Sequence, residues 1–239
     1  MNCIFCGKEK VKLTREHIFP RWLLKYLDAA SETITKDLRS RLGIKKKTFK
    51  FINFTENRVC GKCNSKMLNS LEAECREVLK CLTGAYEETV EKTIEMVIEK
   101  RKCLAKWMFK TSILLANNGT RLIPKEHFEI FGKNDKKIPD NVFVDLGFCN
   151  HDQEHVIEWQ KSLLLIPSSK SFIKSWKGYK VIIRIEKLIF RVAFAPEREQ
   201  VCGDFLLKLW PDLCYSRNKK VYEDIEEYNN DGYYIPYLD

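Results

Sequence analysis

Apolar positions recur along this chain with two periods, and the change from one to the other sets its organisation. Near the start, Leu13 to Ile18 reads as a short strand, and Pro20, which lacks the donor a ladder needs, marks its end. Trp22, Leu23, Tyr26 and Leu27 then fall at helical spacing within 21–27. Residues 28–48 are polar and carry the run Lys45-Lys46-Lys47, which predicts a solvated loop. Thr48 to Phe54, with Phe49, Phe51 and Phe54, is rich in strand formers. From Asn64 to Leu79 the period lengthens again, with Met67, Leu68, Leu71 and Val78 on one side of a helix that Gly84 interrupts. A longer helix is expected over 87–117, where Val90, Ile94, Val97, Ile98, Leu104, Trp107 and Met108 recur at steps of three and four before Asn117-Asn118-Gly119.

Residues 120–140, with Pro124, Gly132 and Pro139, read as loop, and beyond them the pattern turns to strands. These are expected over 142–148, 156–166 and 179–195, the last split by a turn at Glu186-Lys187. The aromatic, proline-containing end, including Leu209-Trp210-Pro211 and Tyr233-Tyr234, reads as a packed tail. Helices and strands in separate runs predict an α+β fold. Neither an internal repeat nor a low-complexity segment is visible.

Two cysteine pairs interrupt this pattern: Cys3-Ile4-Phe5-Cys6, and Cys60-Gly61-Lys62-Cys63 after a gap of 53 residues. Each Cys-x-x-Cys can present two sulfurs from one tight turn, and two such pairs supply the four thiolates of a tetrahedral structural zinc. The gap is long for a bare zinc ribbon and implies an insertion. The other six cysteines, Cys75, Cys81, Cys103, Cys149, Cys202 and Cys214, lack pair spacing and read as small buried apolar thiols. The N-terminus has no apolar leader, and stretches such as Leu163 to Pro167 are too short to span a bilayer. A cytoplasmic protein with reduced thiols is expected.

Between the pairs lies Glu16-His17-Ile18-Phe19-Pro20, and Asn64 follows the second pair directly. In this order the residues resemble the HNH nuclease family, the ββα-metal or His-Me finger fold, over about the first 75 residues. The resemblance implies a nuclease module over 1–75, followed by an α+β region over 76–239 for substrate selection, sensing or assembly. It implies His17 as general base, Glu16 and Asn64 as ligands of a catalytic Mg²⁺ or Mn²⁺, and a structural zinc on Cys3, Cys6, Cys60 and Cys63. Asn57 is the candidate for the family's middle asparagine, with Asn53 and Thr55 nearby. The sequence departs from the family pattern in having Glu16 where Asp is more usual.

The net charge of +9 is unevenly spread. Residues 1–75 hold 16 Lys and Arg against 8 Asp and Glu, which leaves 26 against 25 for the remainder. This footprint suits a polyanion, and nucleic acid, DNA ahead of RNA, is the expected partner. A noncatalytic zinc module that only binds nucleic acid is the competing reading, and a thiol-disulfide oxidoreductase using Cys3 and Cys6 is a third. His151 and His155 have helical metal-ligand spacing, but their surroundings read as a turn entering a strand. His127 reads as an isolated surface histidine. Oligomeric state is not encoded in any pattern found.

Overall fold

The structure, a computed structural model, describes residues 2–40, 43–84, 90–117, 122–133, 136–149, 157–168, 171–194, 207–210, 214–215 and 221–222. The architecture is α+β. Strand β1 (Leu13–His17) leads through Pro20 into helix α1 (Arg21–Tyr26). A hairpin follows, β2 (Thr33–Ser40) paired with β3 (Gly43–Lys50), where the sequence pattern had predicted a loop. The expected strand over 48–54 instead becomes the end of β3 and a 3-10 turn at Phe51–Asn53. Strand β4 (Thr55–Cys60) then returns antiparallel to β1.

Residues Gly61 and Lys62 open a helix that widens to a π-helical stretch at Cys63–Leu68 and continues as α2 (Asn69–Gly84). Its buried positions, Leu68, Leu71, Cys75, Val78, Leu79 and Leu82, form one stripe at steps of three and four. That stripe faces α3 (Val90–Asn117), a helix of 28 residues. Every residue of α3 from Trp107 to Asn117 is buried, so this half of the helix is enclosed on all sides. Cys75 and Cys103 are joined as a disulfide between α2 and α3, which corrects the reading of both as free apolar thiols. Cys81 is free and Cys149 is buried, whereas Cys202 lies outside the described residues.

Helix α4 (Lys125–Lys133) occupies part of the expected loop. Phe128 and Phe131 sit on its buried side, and each ring meets Phe5 of the first cysteine turn, at centroid distances of 5.8 and 6.0 Å. Gly132 serves this approach: a Cβ there would collide with the Phe5 backbone. What looked like a loop glycine is a close-contact glycine within a short helix.

Strands β5 (Val142–Cys149), β6 (Ile157–Ser168), β7 (Ser171–Ile185), β8 (Leu188–Phe194), β9 (Leu207–Trp210), β10 (Cys214–Tyr215) and β11 (Val221–Tyr222) form one larger sheet. Its order is β10-β9-β5-β8-β7-β6, with β11 parallel to the end of β5. The tight reversal at Glu186-Lys187 joins β7 to β8, as the pattern predicts. Helix α3 lies on this sheet, with Trp107 against Phe190 at 6.0 Å. Trp159 of β6 closes over Phe19, Phe51 and Phe54, stacking on Phe54 at 5.6 Å. Buried apolar side chains from both sides of residue 75 therefore form one continuous core. Among the described residues no helix is long and apolar enough to cross a membrane.

His127, expected at the surface, is buried in α4 among Phe109, Phe194 and Tyr179, with its Nδ1 2.9 Å from the Tyr179 hydroxyl. Burial lowers its pKa from 6.5 to about 4. The unfolded chain therefore takes up this proton first as pH falls below 6.5, and stability is lost progressively down to about pH 4. Replacing both partners, as His127→Phe with Tyr179→Phe, should leave stability at pH 8 nearly unchanged. At pH 4 the double variant should have gained about 3 kcal/mol relative to wild type. Urea unfolding at the two pH values measures the difference, and parallel pH profiles for the two proteins would contradict it.

Candidate metal centre and the charged cluster beside it

The two cysteine turns meet because each is fixed by local backbone bonds and then tied to the other. Gly7, at φ +70°, lets its N–H return to the Cys3 carbonyl at 2.9 Å, and Cys3 N–H donates to the Lys8 carbonyl at 3.1 Å. Ile4 N–H donates to the Arg58 carbonyl of β4 at 2.9 Å, which draws the first turn onto the strand that ends in Cys60. Cys60 N–H in turn donates to Cys3 Sγ at 3.3 Å. The four Sγ atoms of Cys3, Cys6, Cys60 and Cys63 all lie within 4.8 Å of one another, and Cys6 and Cys60 are 3.8 Å apart. Tetrahedral zinc with Zn–S bonds of about 2.3 Å requires sulfur separations of about 3.8 Å.

Four sulfurs this close cannot all carry charge without a cation. Cys3 is lowered to about 4, chiefly by the hydrogen bond from Cys63 and despite burial. Cys63 is pushed up by the bond it gives to Cys3 and then by burial, and Cys6 is pushed up chiefly by burial. One thiolate is thus stabilised at the expense of its neighbours, whereas a bound ion would let all four ionise together. Four thiolates in this geometry could hold a metal such as zinc. Cys6 remains partly exposed, while Cys3, Cys60 and Cys63 are buried.

The residues singled out between and after the cysteines lie along β1 and the helix that starts at Gly61. Asn64 projects from the first turn of the wide π-helical stretch, and its Nδ2 donates to Thr14 Oγ1 at 3.0 Å and to the Arg15 carbonyl at 3.1 Å. Both bonds use the amide nitrogen, which leaves the carbonyl oxygen as the group available to a cation. His17 ends β1 opposite Thr55 and makes a hydrogen bond with the Ile52 backbone. Its pKa is lowered from 6.5, first by burial and then by the Arg21 charge, so the neutral imidazole is favoured.

A bulge sits between these positions, because three residues of β1, Thr14 to Glu16, lie opposite four of β4, Val59 to Glu56. It brings Glu16 and Glu56 directly opposite each other, both buried. Like charges facing across a strand pair are destabilising unless each has its own partner. Glu56 is held by Arg58 at 2.9 Å and approached by Asn117 Nδ2 at 3.4 Å. Asn57, in the bulge, is exposed, and its Oδ1 accepts from Thr55 Oγ1 at 3.4 Å. Asn53 is exposed as well.

Glu16 meets a group that the sequence reading did not identify. Lys110 Nζ, fully buried in α3, lies 3.0 Å from Glu16 Oε1 and 2.7 Å from Glu72 Oε1. The contact with Glu72 is a directed hydrogen bond, whereas Glu16 Oε1 meets the ammonium off the hydrogen-bond direction. Burial alone would lower the Lys110 pKa, but the charges of Glu16 and Glu72 overcome it and raise it. Glu16 is raised, by burial first, with Lys110 opposing. The signal for Lys110 was present: it is the lone charge in the apolar run from Trp107 to Ala116. Glu72 follows Leu68 and Leu71 at the edge of the α2 stripe.

No family model, no curated protein and no solved structure matches this chain. The chemistry of the site therefore rests on its own geometry. His151 and His155 lie outside the described residues.

Cys60→Ser should abolish stoichiometric metal binding and lower the melting temperature, since folding and binding are coupled in such sites. Elemental analysis of the purified variant checks this, and wild-type metal content would contradict it. Lys110→Met should cost about 3–5 kcal/mol because it strands two buried carboxylates. Adding Glu16→Gln and Glu72→Gln should restore most of that loss in urea unfolding. Additive losses across the three substitutions would show that the cluster is not an ion-paired unit.

Proposed function

We propose that this protein is a metal-dependent endonuclease of the HNH, or ββα-metal, type, with a structural zinc on Cys3, Cys6, Cys60 and Cys63. The observation that carries this reading is the placement of His17 at the end of β1, in an antiparallel pair with β4, directly ahead of the helix that bears Cys63 and Asn64. A closed shell of four thiolates has no open position for a reacting water, so the zinc serves to fix the two turns.

Phosphodiester hydrolysis needs a base for the attacking water and a positive centre for the charge that develops on the phosphoryl and leaving oxygens. His17 supplies the base: its bond to the Ile52 backbone orients the ring, and its lowered pKa keeps it able to accept a proton near neutrality. Asn64 and Glu16 offer oxygen donors of the kind a hard ion such as Mg²⁺ or Mn²⁺ prefers. Bound there, such an ion would supply Lewis acidity toward the phosphate. Asn57, exposed beside Thr55, would contact the substrate side of the strand pair. The basic excess of residues 1–75 suits a nucleic-acid backbone, DNA ahead of RNA.

A second reading is supported by one specific observation. Glu16 already neutralises Lys110 together with Glu72, which fits a noncatalytic module that binds nucleic acid through its basic surface.

Cleavage of plasmid DNA and of RNA with Mg²⁺ or Mn²⁺ separates the two. His17→Ala should slow cleavage by about 10²–10⁴-fold while leaving zinc content and nucleic-acid affinity near wild type. Cleavage by the variant at the wild-type rate, or none by the wild type with either ion, would favour the binding module.

A further inference from the structure

Beside the cysteine cluster lies a cavity of ≈ 650 Å³ that the reading of His17 does not use. Its wall is built from three pieces of chain: the first cysteine turn and the approach to β1, the start of the helix at Gly61, and the end of α4. Five lysines ring it, Lys8, Lys12, Lys62, Lys66 and Lys136; among the described residues no Asp or Glu lines it, and Cys6, Cys60 and Cys63 form the wall it shares with the metal centre. Four of these are exposed, while Lys136 is largely buried, held by Glu74 at 3.6 Å and Ser70 at 3.4 Å. The floor is apolar, with Val11 and Met67 against the core. Lysine stems extend such a floor while their ammonium groups stay at the rim.

The size falls within the range of small-molecule pockets, roughly 300–1,000 Å³. Rim and floor ask different things of a ligand. The lysines, together with the helix start at Gly61 and Lys62, select several negative charges on one group. Val11 and the polarisable Met67 select a flat apolar body. Inorganic phosphate would leave most of the cavity unfilled, and a sugar phosphate would set hydroxyls against the apolar floor. A nucleoside phosphate meets both demands, with the base on Val11 and Met67 and the phosphates among the lysines.

We infer that this cavity is a binding site for a nucleoside phosphate, separate from the His17 cluster and independent of whether that cluster is catalytic. The nucleoside phosphate is either a free nucleotide or a nucleotide of a single strand, and competition distinguishes the two sources.

The test uses the full-length, metal-loaded protein and a fluorescent ATP analogue followed by anisotropy at fixed ionic strength. Saturable binding is expected, with ATP displacing the probe about tenfold or more better than inorganic triphosphate. Lys12→Gln with Lys66→Gln should weaken the probe by about tenfold or more, because two charge-assisted contacts are lost. Both positions are exposed, so metal content should be retained; Lys62→Gln alone, expected to weaken binding less, is a second variant with the same control. A single-stranded oligonucleotide that displaces the probe at lower concentration than ATP assigns the site to a strand, and the reverse order assigns it to a free nucleotide. No saturable binding, equal displacement by triphosphate and ATP, or unchanged affinity in both metal-replete variants would overturn the assignment.

Discussion

Four sulfurs within 4.8 Å of one another set the constraint on which the N-terminal half depends. Without a cation their mutual repulsion would force protonation or separation, and separation would part the turn at Cys3 and Cys6 from the end of β4. The Phe5 contact with α4 and the Ile4 bond to Arg58 would go with it. With a cation, the same repulsion becomes the affinity of the site, which in zinc-finger peptides is about 10–16 kcal/mol and is counted as folding energy. The metal, zinc in our reading, would also fix the position of Asn64. Asn64 follows Cys63 directly and reaches back to β1, so holding the second turn holds the distance between that strand and the helix.

A second constraint comes from the enclosure of α3. A lysine in a helix buried on every side must be neutralised where it stands, and Lys110 draws one carboxylate from β1 and one from α2. Glu16 is therefore both the neighbour of His17 and the counterion of the central helix. The opposing Glu56 is partnered separately, by Arg58 and by Asn117 at the end of α3. The strand pair that carries His17 is thus clamped by α3 at two points. The disulfide between α2 and α3 adds a covalent link behind it. A precise site on so small a strand pair depends on this support.

Much of this was legible in local sequence, because turns, strand ends and helix stripes are set by neighbours in the chain. The two cysteine turns, the α2 stripe, the long α3 and the reversal at Glu186-Lys187 all follow from spacing of a few residues. The β2–β3 hairpin was not legible because Lys45-Lys46-Lys47 and the surrounding polar residues leave no clean alternation of apolar and polar positions over 33–50. Helix α4 was missed because Gly132 reads as a breaker until Phe5 is seen lying against it. Contacts between distant segments were beyond local pattern altogether: Cys75 with Cys103, His127 with Tyr179, and Lys110 with Glu16 and Glu72. Each joins groups that no short-range period connects. The lone lysine in an apolar run signals that partners exist, but not which ones.

A metal held by four cysteine sulfurs would fix the strand pair and the helix on which His17 and Asn64 are mounted. X-ray absorption at the zinc edge, on protein purified without added metal, tests it most directly. A first shell of four sulfurs at about 2.3 Å, with no nitrogen or oxygen neighbour, is expected. A shell containing nitrogen or oxygen, or folded protein with no zinc signal and no other metal, would contradict it.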